Sequence, residues 1–166
     1  LTWTAAFLAT FFGMELFANL MHRFIMHGPL WVLHKSHHEP RHTKFELNDL
    51  FGIVFAVPSV LLIYFGTRGQ PILLAIGVGM AAYGLVYWGF HDVLVHRRVP
   101  HRWMPEGGYL RRIIQAHHIH HADRTREGAE SFGFLYASDY SKRPRAKVPP
   151  TDFASLASRD RPGFLA

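Results

Sequence analysis

Cysteine is absent from the chain's 166 residues. That excludes disulfides, thiolate metal ligands, protein-ligated iron–sulfur clusters and Cys-type zinc sites, leaving imidazole and carboxylate as metal donors. Acids are few: 12 Asp and Glu stand against 18 Lys and Arg, for a net charge of +6. No nucleic-acid recognition motif accompanies that charge, so it reads as basic loops on the cytoplasmic face of a membrane and not as a nucleic-acid interface. Nor is there a P-loop, a G-x-G-x-x-G or a Ser-His-Asp order to support nucleotide or hydrolase chemistry. What the chain has in quantity is apolar sequence and histidine, 13 residues of the latter.

The length suits one domain with one core. A mean hydropathy of +0.03 hides a division, because long apolar runs fill much of the first 90 residues while His, Lys and Arg gather in connections and the C-terminal half. Three runs are long enough to span a membrane: residues 1–21, 50–66 and 72–90. The expected fold is therefore an all-α integral membrane protein with three transmembrane helices, or four if one is hidden, under a histidine-rich helical cap formed by residues 22–48 and 91–140. Residues 141–166, basic and proline-containing, read as a disordered tail. The chain starts at Leu1 rather than Met, which leaves room for a trimmed start and a lost targeting segment.

Within this frame, Asn48-Asp49 reads as a cap for the second span, Pro58 as a kink, and residues 67–71 as a tight turn. Gly77 and Ala81 suit close helix packing, and Tyr87 and Trp88 an interfacial aromatic belt. Glu15, an acid inside the first span, is either a second-layer partner of the site or a structural partner for a neighbouring helix. The later spans form a hairpin, so every histidine group meets one membrane face. Arg68 alone among the basic residues lies in the opposite connection, which makes the histidine face cytoplasmic.

The histidines repeat a pattern. His22/His27 and His91/His96 are spaced H-x-x-x-x-H; His34/His37/His38 and His117/His120/His121 are spaced H-x-x-H-H. On an α-helix turning about 100° per residue, His117, His120 and His121 fan across about 100° and can share one site. Residues 109–121 read as an amphipathic helix with Leu110, Ile114, His117 and His121 on one stripe. The same arithmetic sends His22 and His27 about 140° apart, towards two different metals unless the helix ends between them. Gly28-Pro29 breaks it at once.

Two matched sets at the ends of apolar spans point to two metal ions, since so many unliganded imidazoles would be hard to satisfy there. Imidazole alone does not choose among Zn, Cu, Fe and Ni. Ten motif histidines fit two higher-coordinate ions with open positions, which favours redox iron over four-coordinate structural zinc. Asp92, four residues before His96, suits a second-layer acceptor for an imidazole N–H, or a helix cap. Residues 123–127 read as a solvated loop. Residues 131–136 read as membrane-surface packing or a lid over an apolar substrate. A non-haem diiron centre beside lipid would use O2 to attack a C–H bond of a lipid-soluble substrate. The other class open is a non-enzymatic membrane metal- or haem-binding protein.

The tandem histidine layout resembles the fatty acid hydroxylase superfamily of membrane diiron enzymes. Residues 27–28 (HG), 34–41 (HKSHHEPR), 45–50 (FELNDL), 91–96 (HDVLVH) and 131–137 (SFGFLYA) narrow it to the bacterial β-carotene 3-hydroxylases. The resemblance covers about residues 10–140. It implies that His22, His27, His34, His37, His38, His91, His96, His117, His120 and His121 bind two iron ions. His42, His101 and His118 fall outside the motif, although His118 could exchange roles with His117. Further implications are hydroxylation of the β-ionone rings of β-carotene at C3, giving β-cryptoxanthin and zeaxanthin, with O2 as oxidant and electrons from a ferredoxin or another reductase. Fatty acid or sterol hydroxylation or desaturation is the alternative within the superfamily.

Overall fold

A computed structural model describes residues 2–39 and 45–137. The expected tail from residue 141 and His42 lie outside these residues. Helix α1 (Thr2–Leu20) runs straight into a π-helical segment (Met21–Met26), then a turn leads to the short α2 (Trp31–His38). Helices α3 (Asp49–Gly66) and α4 (Pro71–Tyr87) form a hairpin. A second π segment (Trp88–Val95) extends α4, and α5 (Gly108–Ala122) closes the helical part. No strand occurs among the described residues.

Three stretches are long and apolar enough to cross a membrane: Thr2–Met26, Asp49–Gly66 and Pro71–Val95. They match the expected spans, the first and third lengthened by their π segments. Large apolar side chains such as Phe12, Leu16 and Val57 are more than half exposed, as side chains facing acyl chains would be.

Helix α4 packs against both α1 and α3. At Gly77 a Cβ would lie 2.8 Å from the Ile63 backbone nitrogen, so only glycine lets α3 and α4 approach this closely. The Ser59 hydroxyl crosses the same contact to donate to the Gly77 carbonyl at 2.8 Å. Pro71 starts α4 at its first turn, where a missing N–H costs nothing. Helix α3 continues through Pro58.

Two local expectations change. Asn48 does not cap α3; its side chain turns to His34 instead. On α5 the inward stripe is Ile113, Ile114, Ala116, His117 and His120, while Leu110 is 37% exposed. Ile113 and Ile114 pack with Phe90, Val95 and Ala137, while Ile114, His117 and His121 of the expected stripe keep their inward places.

Candidate metal centre

The H-x-x-x-x-H pairs fall on the two π segments. In a π-helix the backbone bonds i to i+5, which brings a residue back over the one five before it. Here that bond joins the motif residues themselves: His27 N–H donates to the His22 carbonyl and His96 N–H to the His91 carbonyl, each at 2.9 Å. The expected divergence of His22 and His27 is thereby corrected. Their rings stand 5.2 Å apart in one cluster, because the helix is wound to i+5 at the pair.

The ten motif histidines gather into two groups of five, His22, His27, His34, His38 and His120 in the first and His37, His91, His96, His117 and His121 in the second. Within each group one nitrogen per residue lies within 4.8 Å of all the others. The α-helical H-x-x-H-H sets are divided: His34 and His38, one turn apart, face the first group while His37 faces the second. On α5, His117 and His121 face the second while His120 crosses to the first. The two groups therefore share both helices.

Outer partners set the tautomers. In the first cluster every Nδ1–H donates to a neutral oxygen: His22 to the Phe132 carbonyl at 3.0 Å, His27 to Arg126 at 3.0 Å, His38 to Asp123 at 3.0 Å, His120 to Glu130 at 2.9 Å, and His34 to Asn48 Oδ1 at 2.7 Å. In the second cluster His37 donates to Glu46 Oε2 at 2.9 Å and His91 to Asp92 Oδ1 at 2.8 Å. Arg98 stands among these acids, with Nη2 2.7 Å from Asp49 and 3.3 Å from Glu46.

With Nδ1 protonated, Nε2 carries a lone pair. Those lone pairs face one another: His22 and His34 at 3.0 Å, His27 and His120 at 3.2 Å, His34 and His38 at 3.2 Å, and in the second cluster His37 and His91 at 3.1 Å. Burial also disfavours the imidazolium that would relieve the repulsion. It pushes His34 down to about 3 and His38 to about 4, and His37, His117 and His121 well below the ordinary imidazole value. Buried, neutral, converging imidazole lone pairs fit a cation, and the donor set is that of a non-thiolate transition metal.

Asp92 orients His91 rather than His96, the adjacent side chain being the nearer on the π segment. Glu15 touches none of the ten histidines by hydrogen bond; it binds residues 134–136 and Tyr83. Tyr87 is no belt residue, since its ring stacks on His91 with centroids 4.6 Å apart. His101 donates to the Val93 carbonyl at 2.8 Å, outside both clusters. His118 is turned to the Val95 backbone, and His117 keeps the cluster position. The loop at 123–127 is solvated in its side chains but turns the Asp123 and Arg126 carbonyls inward. Sequence spacing missed Glu46, Asn48 and Arg98, for they follow no ligand pattern; the FELNDL stretch of the resemblance contains Glu46 and Asn48, and nothing in the sequence reading pointed to Arg98.

A family model described as fatty acid hydroxylase matches residues 7–140. The chain is 56% identical over 133 residues to "Beta-carotene hydroxylase" of Pantoea ananas, covering 80% of this chain and 76% of the relative. It is 52% identical over 155 residues to "Beta-carotene hydroxylase" of Pseudescherichia vulneris, covering 90% and 86%. A third relative of that name, from Paracoccus sp. (strain PC1), is 50% identical over 135 residues, covering 81% and 83%. No solved structure matches. Ten histidines wound into two five-nitrogen cages at the ends of apolar helices agree with these likenesses, and the chain belongs to the fatty acid hydroxylase family.

Proposed function

We propose that this chain is an O2-dependent diiron β-carotene 3-hydroxylase, a single hydroxylase domain over residues 1–140 that converts β-carotene to β-cryptoxanthin and zeaxanthin. The observation that carries the chemistry is the pair of five-histidine cages in which Nε2 atoms converge to 3.0–3.2 Å. The relatives' names carry the substrate. His22, His27, His34, His38 and His120 would hold one ion; His37, His91, His96, His117 and His121 would hold the other. When bound, the two iron ions supply the reduction of O2 and the oxidation of an unactivated C–H bond. One oxygen atom would enter that bond and the other would leave as water, with two electrons from a ferredoxin or another reductase and two protons from solvent.

The protein's own residues orient and enclose. Phe132, Asn48, Glu46 and Asp92 fix the imidazole planes through Nδ1. Phe134 and Tyr87 cover the inner side with aromatic rings. A cavity of about 740 Å³ between α1, α3 and α4 is walled by apolar groups such as Ala18, Phe55 and Met80 and reaches Tyr87 and Phe134. That cavity supports entry of an apolar ring from the bilayer. The charge distribution supports a cytoplasmic histidine face.

Pigment analysis of a bacterial host that accumulates β-carotene tests the assignment. Expression of this chain is expected to yield β-cryptoxanthin and zeaxanthin, and the His120→Ala variant none. Unchanged β-carotene beside membrane-bound, iron-loaded protein and a competent reductant would overturn the substrate assignment.

A further inference from the structure

We propose that Glu15 is a positioning residue: from within the first apolar helix it pins residues 123–137 as a strap, and the strap holds the first histidine cluster in metal-binding form. The inference rests on the two-metal reading above.

The anchor is a carboxylate used wholly as acceptor. Glu15 Oε1 accepts three successive backbone N–H groups, from Phe134 at 2.9 Å, Leu135 at 2.9 Å and Tyr136 at 3.2 Å. Oε2 accepts the Tyr83 hydroxyl at 2.8 Å. Its neighbours on α1 and its bonding partners, Met14, Ala18, Tyr83 and Phe134, belong to one apolar cluster, so the Phe134 end of the anchor is part-buried. Close approach has a sequence requirement. At Gly133 a Cβ would fall 2.7 Å from the Tyr136 carbonyl oxygen and 3.0 Å from Glu15 Oε1. Ser131, two residues earlier, is held at φ 62°, a left-handed conformation that a serine adopts only under constraint.

What the strap carries is four of the five outer partners of the first cluster. The carbonyls of Asp123, Arg126, Glu130 and Phe132 accept from His38, His27, His120 and His22. The Phe132 ring adds contacts to His22, His27 and His120 at 5.1–5.4 Å. For the second cluster the outer bonds of His37 and His91 come from Glu46 and Asp92, outside the strap, which touches that cluster through the Phe134 ring. Glu15 makes no hydrogen bond to a motif histidine itself, yet four outer hydrogen bonds of the first cluster run through the segment it anchors, against ring contacts of Phe134 alone for the second.

The test is iron content per chain and amide hydrogen exchange of residues 123–137, on the full-length detergent-solubilised protein loaded with ferrous iron. Glu15→Ala is expected to fall from two irons to one and to speed exchange at residues 134–136 by on the order of 100-fold. Adding His120→Ala to it should cost no further iron, whereas adding His37→Ala should remove the remaining ion. Glu15→Gln keeps a carbonyl oxygen for the three N–H groups and turns its amide to the Tyr83 oxygen, so it should retain both irons. Gly133→Ala, which displaces the strap without altering α1, should reproduce the selective loss and decides the matter if Glu15→Ala does not fold. Two irons with wild-type exchange in Gly133→Ala, or loss of both, would overturn the proposal. A wild type that binds no pair of ions would instead refute the two-metal reading.

Discussion

The first histidine cluster leans on neutral oxygens, four of them backbone carbonyls of one segment, whereas His37 and His91 of the second lean on carboxylates tied to Arg98. A carboxylate behind an imidazole raises its basicity and favours a more highly charged metal. A carbonyl fixes the plane with less charge. Two cages with the same number of histidines thus differ in what surrounds them, and under the proposed two-metal reading the difference assigns them different vulnerabilities: the first to movement of the 123–137 segment, the second to loss of charge at Glu46 or Asp92.

The largest effect should come from ligand removal. His120→Ala and His37→Ala are each expected to abolish turnover and to lower iron from two per chain to one, read by metal analysis; normal activity in either would break the assignment. An intermediate effect should separate the outer layers. Glu46→Gln removes charge behind His37 and should weaken iron in the second cluster by roughly 10- to 100-fold. Asn48→Ala should do the same to the first cluster only, and iron titration of the two variants against His120→Ala distinguishes them. Equal loss from both clusters in either variant would erase the contrast.

Smaller still is a change in the cavity. At Gly52, which lines it, a Cβ would meet nothing within 4 Å, so Gly52→Phe should fold and intrude on the bound chain. A rise in KM of about 10-fold with intact iron content is expected, from about 1–3 kcal/mol of lost apolar fit. The smallest effect is His101→Ala, which removes a bond to the Val93 carbonyl outside both clusters. Most activity should remain, and a folded but inactive variant would show that His101 serves the metal centre after all.

Much of the architecture is legible in the order of residues alone. Apolar runs mark the three helices long and apolar enough to cross a membrane to within a few residues, and paired histidine spacing singles out the ten clustered residues. The expectation that failed assumed a regular α-helix: His22 and His27 diverge at 100° per residue but coincide when the backbone bonds i to i+5. Spacing also could not show that His120 would part from His117 and His121, because the direction of each ring depends on which neighbour receives it.

Sequence by itself determined the donor chemistry, since a chain without cysteine and with 13 histidines can offer imidazole in quantity and no thiolate. It also determined that those donors sit at the ends of apolar spans. Only the tertiary structure decided the partition into two cages, the neutral and acidic layers behind them, and the contacts of Glu15. Those depend on residues as far apart as Glu15 and Tyr136, where no local periodicity operates and backbone carbonyls, which every residue possesses, do the orienting.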